Sequence, residues 1–190
     1  MAARINKTRR HLNGRAAECL VEAYGILSSG GQLDGFRPGV DIDHKDIIFD
    51  EVGGYCNAYV QVKCATTLDM GVRVSCAARF FPNEIRSHPR FAYVFCLLDP
   101  AQMDLSRIWL VPSRAFNRLA YRYEIPGGKV ELRFSCNVSG DPRWDKYEVD
   151  KRTLGPRLLE IATTPAKRKA VNRLDLRGVL VLRASATPSR

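Results

Sequence analysis

No two cysteines in this chain stand in a CxxC or CxC spacing, and none is accompanied by spaced histidines. That excludes zinc-finger-type sites, which need four soft ligands in close sequence pairs. The six cysteines fall at positions 19, 56, 64, 76, 96 and 136, and Cys64, Cys76, Cys96 and Cys136 sit among apolar residues. They read as free, buried thiols of a reducing compartment. Long apolar runs are also lacking. The longest, Phe91 to Leu98, has eight residues, far below the ~20 that span a bilayer. Met1 to Gly14 has no apolar core of a secretory signal, so a cytoplasmic protein with no membrane partner is expected. Repeats, low-complexity tracts and long linkers are absent as well, which excludes solenoid arrays.

Acidic residues are scarce at both ends. Arg4, Lys7, Arg9, Arg10 and Arg15 precede the first acid, and from Lys151 to Arg190 ten basic residues face only Glu160 and Asp175. What is present in excess is therefore positive charge: 30 Lys and Arg against 20 Asp and Glu, a net +10. Such a balance suits a polyanionic partner, and basic flanks can hold a phosphate backbone by releasing its counterions. Arg9, Arg10, Arg15, Lys167, Arg168 and Lys169 are the candidate nucleic-acid contacts, with solvated surface as the competing reading. At 45% hydrophobic and 26% charged, the composition is that of an ordinary soluble globular protein, and the helices and strands read below share one α/β unit. The length suits a single domain over 1–190, with a core at 8–165 and a basic extension at 166–190.

Apolar residues Ala17, Leu20, Val21, Tyr24 and Leu27 recur at helical spacing, which predicts a helix over Gly14 to Leu27, stopped by Ser28-Ser29-Gly30-Gly31. Two strands follow, Asp46 to Val52 and Tyr59 to Ala65, joined by a turn at Gly53-Gly54. Gly71 to Cys76, Phe91 to Leu98, Ile108 to Val111 and Val130 to Cys136 are further strands. Ser113 is placed to cap a short helix reaching Tyr121, and Asp150 to cap a helix whose apolar side is Leu154, Leu158, Leu159 and Ile161. Gly178 to Leu182 is a candidate additional strand.

On the strand ending at Ala65, Gln61 and Lys63 share one face and Val60, Val62 and Cys64 the other. A hairpin turn at Gly53-Gly54 pairs residues whose numbers sum to about 107, which sets Asp46 beside Gln61 with Cβ atoms ~5 Å apart. Glu18 lies beside the apolar stripe of the first helix, close enough to reach the sheet edge, and Gly14 and Gly25 on the same side permit close approach of backbone or phosphate. The Asp46 carboxylate, the Gln61 amide oxygen, the Val62 carbonyl and Glu18 make an oxygen set suited to Mg²⁺ or Mn²⁺. Lys63 is then placed to stabilise charge developing at an attacked phosphodiester.

Helix with Glu18, then Asp46, then Gln61-Val62-Lys63 resembles the PD-(D/E)xK nuclease superfamily, the restriction-endonuclease-like fold. The resemblance covers Gly14 to Ala65 and implies an αβββαβ core, with a mixed central sheet flanked by helices. It further implies metal-dependent hydrolysis of DNA, branched or modified DNA included, by a homodimer. It makes Asp46 the metal-binding acid, Gln61 the occupant of the second acid position, Lys63 the signature lysine and Glu18 the helical acid. Two departures stand out. Lys45 occupies the proline position, which leaves Asp41 and Asp43 as rivals to Asp46. Gln61 removes one negative charge, which leaves a catalytically inactive DNA- or protein-binding domain as the alternative. His44 is a candidate ligand or general base, Trp144 a candidate base-stacking residue, and Arg79, Arg86 and Arg90 candidate phosphate contacts.

Overall fold

A computed structural model describes residues 2–39 and 44–165. Helix α1 (Ala2–Ser28) leads into three strands, β1 (Leu33–Phe36), β2 (Ile47–Glu51) and β3 (Asn57–Ala65). Next come β4 (Arg73–Phe80), β5 (Phe91–Asp99), β6 (Asp104–Pro112), α2 (Ser113–Leu119), β7 (Tyr121–Ile125), β8 (Lys129–Asn137), β9 (Glu148–Val149) and α3 (Leu154–Thr163). The central sheet runs β1-β2-β3-β5-β6-β9, and a smaller sheet runs β4-β8-β7. β3 and β5 are parallel while every other neighbouring pair is antiparallel, so the central sheet is mixed. No helix among the described residues is long and apolar enough to cross a membrane.

The architecture has three layers. α1 and α3 cover one face of the central sheet, with Ala17, Val21, Leu154, Leu158 and Ala162 packed on Phe49, Val60, Val62 and Val94. The smaller sheet and α2 cover the other face. There Phe95 stacks on Phe134 at 4.3 Å between ring centres, and Phe134 meets Trp144 at 4.8 Å. Trp144 is fully buried, so it belongs to this aromatic core and is not a base-stacking residue. An aromatic ring brings more apolar area out of water than any other side chain, which outweighs the pull of its basic neighbours Arg143 and Lys146.

Several sequence expectations are corrected. The α/β class and the mixed central sheet stand as expected, while the link from β3 to β5 passes through strand β4 and α2 shares the second face with the smaller sheet. α1 begins at Ala2 and not near Gly14, since nothing from Ala2 onward breaks a helix. β1 has no apolar alternation in its Leu-Asp-Gly-Phe sequence; its ladder to β2 holds it in place. Ser113 is the first residue of α2 and caps nothing: its hydroxyl donates to the His88 carbonyl and accepts the His88 N–H. Asp150 ties a turn before α3 by accepting the Arg152 N–H, and the helix starts at Leu154. Asp41, Asp43, Lys167, Arg168, Lys169 and the Gly178 to Leu182 segment lie outside the described residues.

One contact locks the end of α1 against α3. At Gly155 a Cβ would lie 2.3 Å from the Ser29 nitrogen and 2.5 Å from the Gly25 carbonyl, and the Gly155 N–H donates to Ser28 Oγ at 2.7 Å. Only glycine lets the backbones of α1 and α3 come this close. Gly25 in turn accommodates the Phe49 ring, not a phosphate, because a Cβ there would sit 2.5 Å from that ring. Nothing lies within 4 Å of a Cβ built at Gly14.

Candidate functional site

The β2–β3 ladder runs in the expected register, Ile47 with Val60 through Asp50 with Asn57. At Asp46 it slips by one residue. The Asp46 N–H donates to the Val60 carbonyl at 2.9 Å instead of pairing with Gln61. The Asp46 carboxylate then takes over the ladder position and accepts the Val62 N–H at 2.7 Å. A side chain that replaces a ladder acceptor lies in the plane of the sheet, where groups from both faces can reach it.

Both faces do. Lys63 projects from the face covered by the smaller sheet, and its ammonium lies 3.8 Å from Asp46 Oδ2. Glu18 approaches from α1 on the opposite face. Burial pushes its carboxyl above the usual range, and the negative charge of Asp46 pushes it further, while Arg37, Lys63 and Arg15 pull it down. Lys63 and Asp46 thus meet at the start of β2, with Glu18 within electrostatic reach of both. Cys64 joins their edge: burial and Glu18 raise its thiol, and Lys63 lowers it. A thiol so raised is a poor nucleophile, and it stays neutral beside the acids. Glu22, one turn beyond Glu18, is held by the Arg37 guanidinium at 2.6 Å.

Gln61 precedes Lys63 by two residues on the same face of β3 and is only 4% exposed. Its Oε1 is buried with no hydrogen-bond partner. An unpaired buried amide oxygen costs about 1–3 kcal/mol, so it is a group that a ligand would satisfy. The Glu18 and Asp46 carboxylates, that amide oxygen and the Val62 backbone carbonyl are all oxygen donors. Those donors fit a hard divalent cation such as Mg²⁺ or Mn²⁺. Among the described residues no group of three His, Cys, Asp or Glu side chains converges. The site has two acids because position 61 is an amide.

The remaining candidates divide. Arg9, Arg10 and Arg15 are exposed on α1, with Arg15 one turn before Glu18. His44 turns away with a left-handed backbone at φ 57°, packs edge-on against Phe80, and brings Nε2 to 3.7 Å from Glu84. It is not placed as a general base at Asp46. Arg79 pairs with Glu131, and Arg90 donates to the Thr164 carbonyl, so both hold the fold together. Arg86 lines a pocket with Lys45, Tyr59, His88 and Phe91. Sequence reading missed Lys45, Tyr59 and His88 as a group because the loop carrying His88 is distant in sequence and shows no periodicity. In comparisons with known proteins, no family model, no curated protein and no solved structure matches the chain.

Proposed function

We propose that this chain is a divalent-metal-dependent deoxyribonuclease with a restriction-endonuclease-like core, hydrolysing phosphodiester bonds. The observation that carries the reading is the Lys63 ammonium 3.8 Å from Asp46 Oδ2 with the Glu18 carboxyl of α1 inside the field of both. An ordinary ion pair between neighbouring strands accounts for Asp46 and Lys63 alone, without Glu18. Two carboxylates drawn together at the cost of a raised Glu18 instead suit a place where a cation repays their repulsion.

In this reading Asp46, Gln61, the Val62 carbonyl and Glu18 hold Mg²⁺ or Mn²⁺. When bound, the metal polarises the scissile phosphate and lowers the pKa of a water. Asp46 is preorganised by the Val62 N–H, which donates to its Oδ2. Lys63 holds the attacking water or a non-bridging phosphate oxygen, so positive charge meets the negative charge that grows on the phosphate. Its 3.8 Å separation from Asp46 leaves it an ion-pair partner while freeing its donors for substrate. Arg15, Arg10 and Arg9 lie on the stretch of α1 leading away from Glu18 and supply non-specific phosphate contacts whose strength falls with salt. A cytoplasmic homodimer would cut both strands with one site on each.

One observation favours a second reading, a domain that binds DNA without cutting it. Gln61 is neutral, so the set carries one charge fewer than a three-acid site and holds the cation less tightly. The separating experiment incubates purified protein with supercoiled, linear and branched DNA and Mg²⁺ or Mn²⁺, beside Asp46→Ala and Lys63→Ala. Cleavage abolished by both substitutions supports the nuclease. Salt-dependent binding with no cutting on any substrate supports the second reading.

A further inference from the structure

The smaller sheet ends on β7, and that edge is open. β7 pairs with β8 on one side, from Tyr121 with Arg133 to Ile125 with Lys129, and with no strand on the other. Tyr121, Arg122, Tyr123 and Glu124 are all exposed, so the strand stands clear of the core on both faces. Among the described residues no backbone group of 121–125 bonds outside the β7–β8 ladder. Natural sheet edges are blunted by extreme shortness, by proline, by bulges or by charges that repel a newcomer. The central sheet follows that rule, ending on β9 with two residues and on a four-residue β1 that contains Asp34 and Gly35. β7 does not. Its ladder to β8 is unbroken, Pro126 lies outside it, and its two charges, Arg122 and Glu124, are of opposite sign.

The sequence of β7 is complementary to itself run backwards. Two identical strands paired antiparallel are related by a twofold axis normal to the sheet, so each face continues across the axis and residues of one face oppose one another. The axis can then pass through Arg122, Tyr123 or Glu124. Through Arg122 it sets two arginines opposite each other, and through Glu124 two glutamates. Through Tyr123 it sets Arg122 against Glu124 of the second copy at two symmetric points, Tyr121 against Ile125 at two more, and Tyr123 against its own counterpart. Opposite charges and apolar or aromatic pairs directly across a ladder strengthen it, and like charges weaken it, so only the register centred on Tyr123 is favoured.

The side chains are ready for that register. Among the described residues neither Arg122 nor Glu124 has an ion-pair partner within the chain, although both are exposed on one face of β7. On the other face Tyr121 is 42% and Tyr123 44% exposed. The Arg133 guanidinium of β8 lies 5.0 Å from the Tyr123 ring centre, and Arg143 donates to the Tyr121 hydroxyl at 2.7 Å, so both rings are held by their own chain before any partner arrives. We infer that β7 is a self-association edge: two copies of the chain join β7 to β7 antiparallel about Tyr123, into one sheet ordered β4-β8-β7-β7-β8-β4. This goes beyond the nuclease reading and does not need it, and it gives the homodimer of that reading a contact surface. Five residues a side is fewer than the ~20–30 of a standard interface, so a dissociation constant on the order of micromolar is expected.

The test is sedimentation of the full chain at about 1 to 200 µM, without DNA and in EDTA, beside Arg122→Glu, Glu124→Arg and the double exchange. Expected for the parent is a monomer–dimer equilibrium. Each single exchange sets like charges opposite each other at two points and should weaken the dimer about ten- to a hundredfold. The double exchange restores opposite charges and should return the parent's affinity to within about threefold. A one-to-one mixture of the two single variants should associate as well, because each arginine then meets a glutamate on the other protein. Both positions are exposed, and melting curves check that every variant folds. A parent that stays monomeric across the range overturns the inference. So do single variants that dimerise as the parent does, or a mixture or double exchange that associates no better than the single variants. Dimerisation without DNA is independent of cleavage. A monomeric chain that still cuts DNA leaves the nuclease standing, and a dimer that obeys the charge rule without cutting leaves this edge standing.

Discussion

Replacing Gln61 by glutamate puts a third carboxylate on the buried face of β3, two residues before Lys63, and in the proposed site it would join Asp46 and Glu18. At ~5 Å and an effective dielectric of ~20, each new like-charge contact costs about 3 kcal/mol, and Lys63 returns a comparable amount. What remains is the second acid and the desolvation of a charge at a position only 4% exposed. The net cost without metal is about 2–4 kcal/mol, or roughly 5–12 °C in Tm for a chain of this size. The sign follows from the raised carboxyl pKa: the loss is complete well above the folded-state pKa and disappears below the unfolded value of ~4.3. Adding Mg²⁺ reverses the balance, because the third charge now attracts the ion. Ligand present at about a hundred times its Kd stabilises by ~2.7 kcal/mol, so the metal-induced rise in Tm should be larger for Gln61→Glu than for the parent. The assay is thermal melting at pH 8 and pH 4.5, each with EDTA and with Mg²⁺. A variant that melts with the parent at pH 8 in EDTA, or that gains no more from Mg²⁺ than the parent gains, refutes the placement of Gln61 at a cation site.

Gly155→Ala should destabilise the fold by about 2–4 kcal/mol, because the new methyl meets the Ser29 and Gly25 backbone and not a movable side chain; chemical denaturation measures it, and a loss under 1 kcal/mol contradicts the close helix crossing. Phe49→Ala empties a site under α1 and should cost about 3–5 kcal/mol on the same assay. Arg133 and then Arg79 hold the buried Glu131 below the usual carboxylate range. The stability it adds is therefore present above the unfolded pKa and is lost as the pH falls through its folded value. Glu131→Gln should cost about 1–2 kcal/mol at pH 7, discounted for the exposed arginines, and the gap from the parent should close in acid. Glu18 moves the opposite way, so metal affinity measured by calorimetry should rise with pH through the range where its raised carboxyl ionises; a flat profile contradicts its role as a ligand.

The sequence made the hairpin and its register legible. Strict alternation along β3 and a Gly-Gly turn leave little freedom in how β2 and β3 pair, and residues 47–50 pair as expected. The same arithmetic could not foresee the slip at Asp46, because it follows from where β2 ends and the chain before it diverges. Glu18 was legible from helical periodicity, which α1 obeys with Ala17 and Val21 fully buried. β4 was legible as a strand, since Val74 and Cys76 alternate with polar residues, but not its departure into a second sheet. Sheet membership depends on which distant strand completes the ladder, and Arg73 to Phe80 pairs with β8 more than fifty residues away. Gln61 illustrates the same limit. Alternation put it on one face with Lys63, but only the overlying sheet makes it buried, and that sheet is not visible in local alternation.

The most direct measurement is cleavage of supercoiled and branched DNA by the purified full chain in Mg²⁺, in Mn²⁺ and in EDTA, for the parent, Asp46→Asn and Lys63→Ala. Asp46→Asn keeps the shape of the side chain and an oxygen to accept the Val62 N–H, so its loss of activity reports on charge and ligation. The nuclease account predicts cutting by the parent that stops in EDTA and falls at least a hundredfold in both variants. Cutting that survives in both variants, or no cutting by the parent on any substrate with either metal, contradicts it.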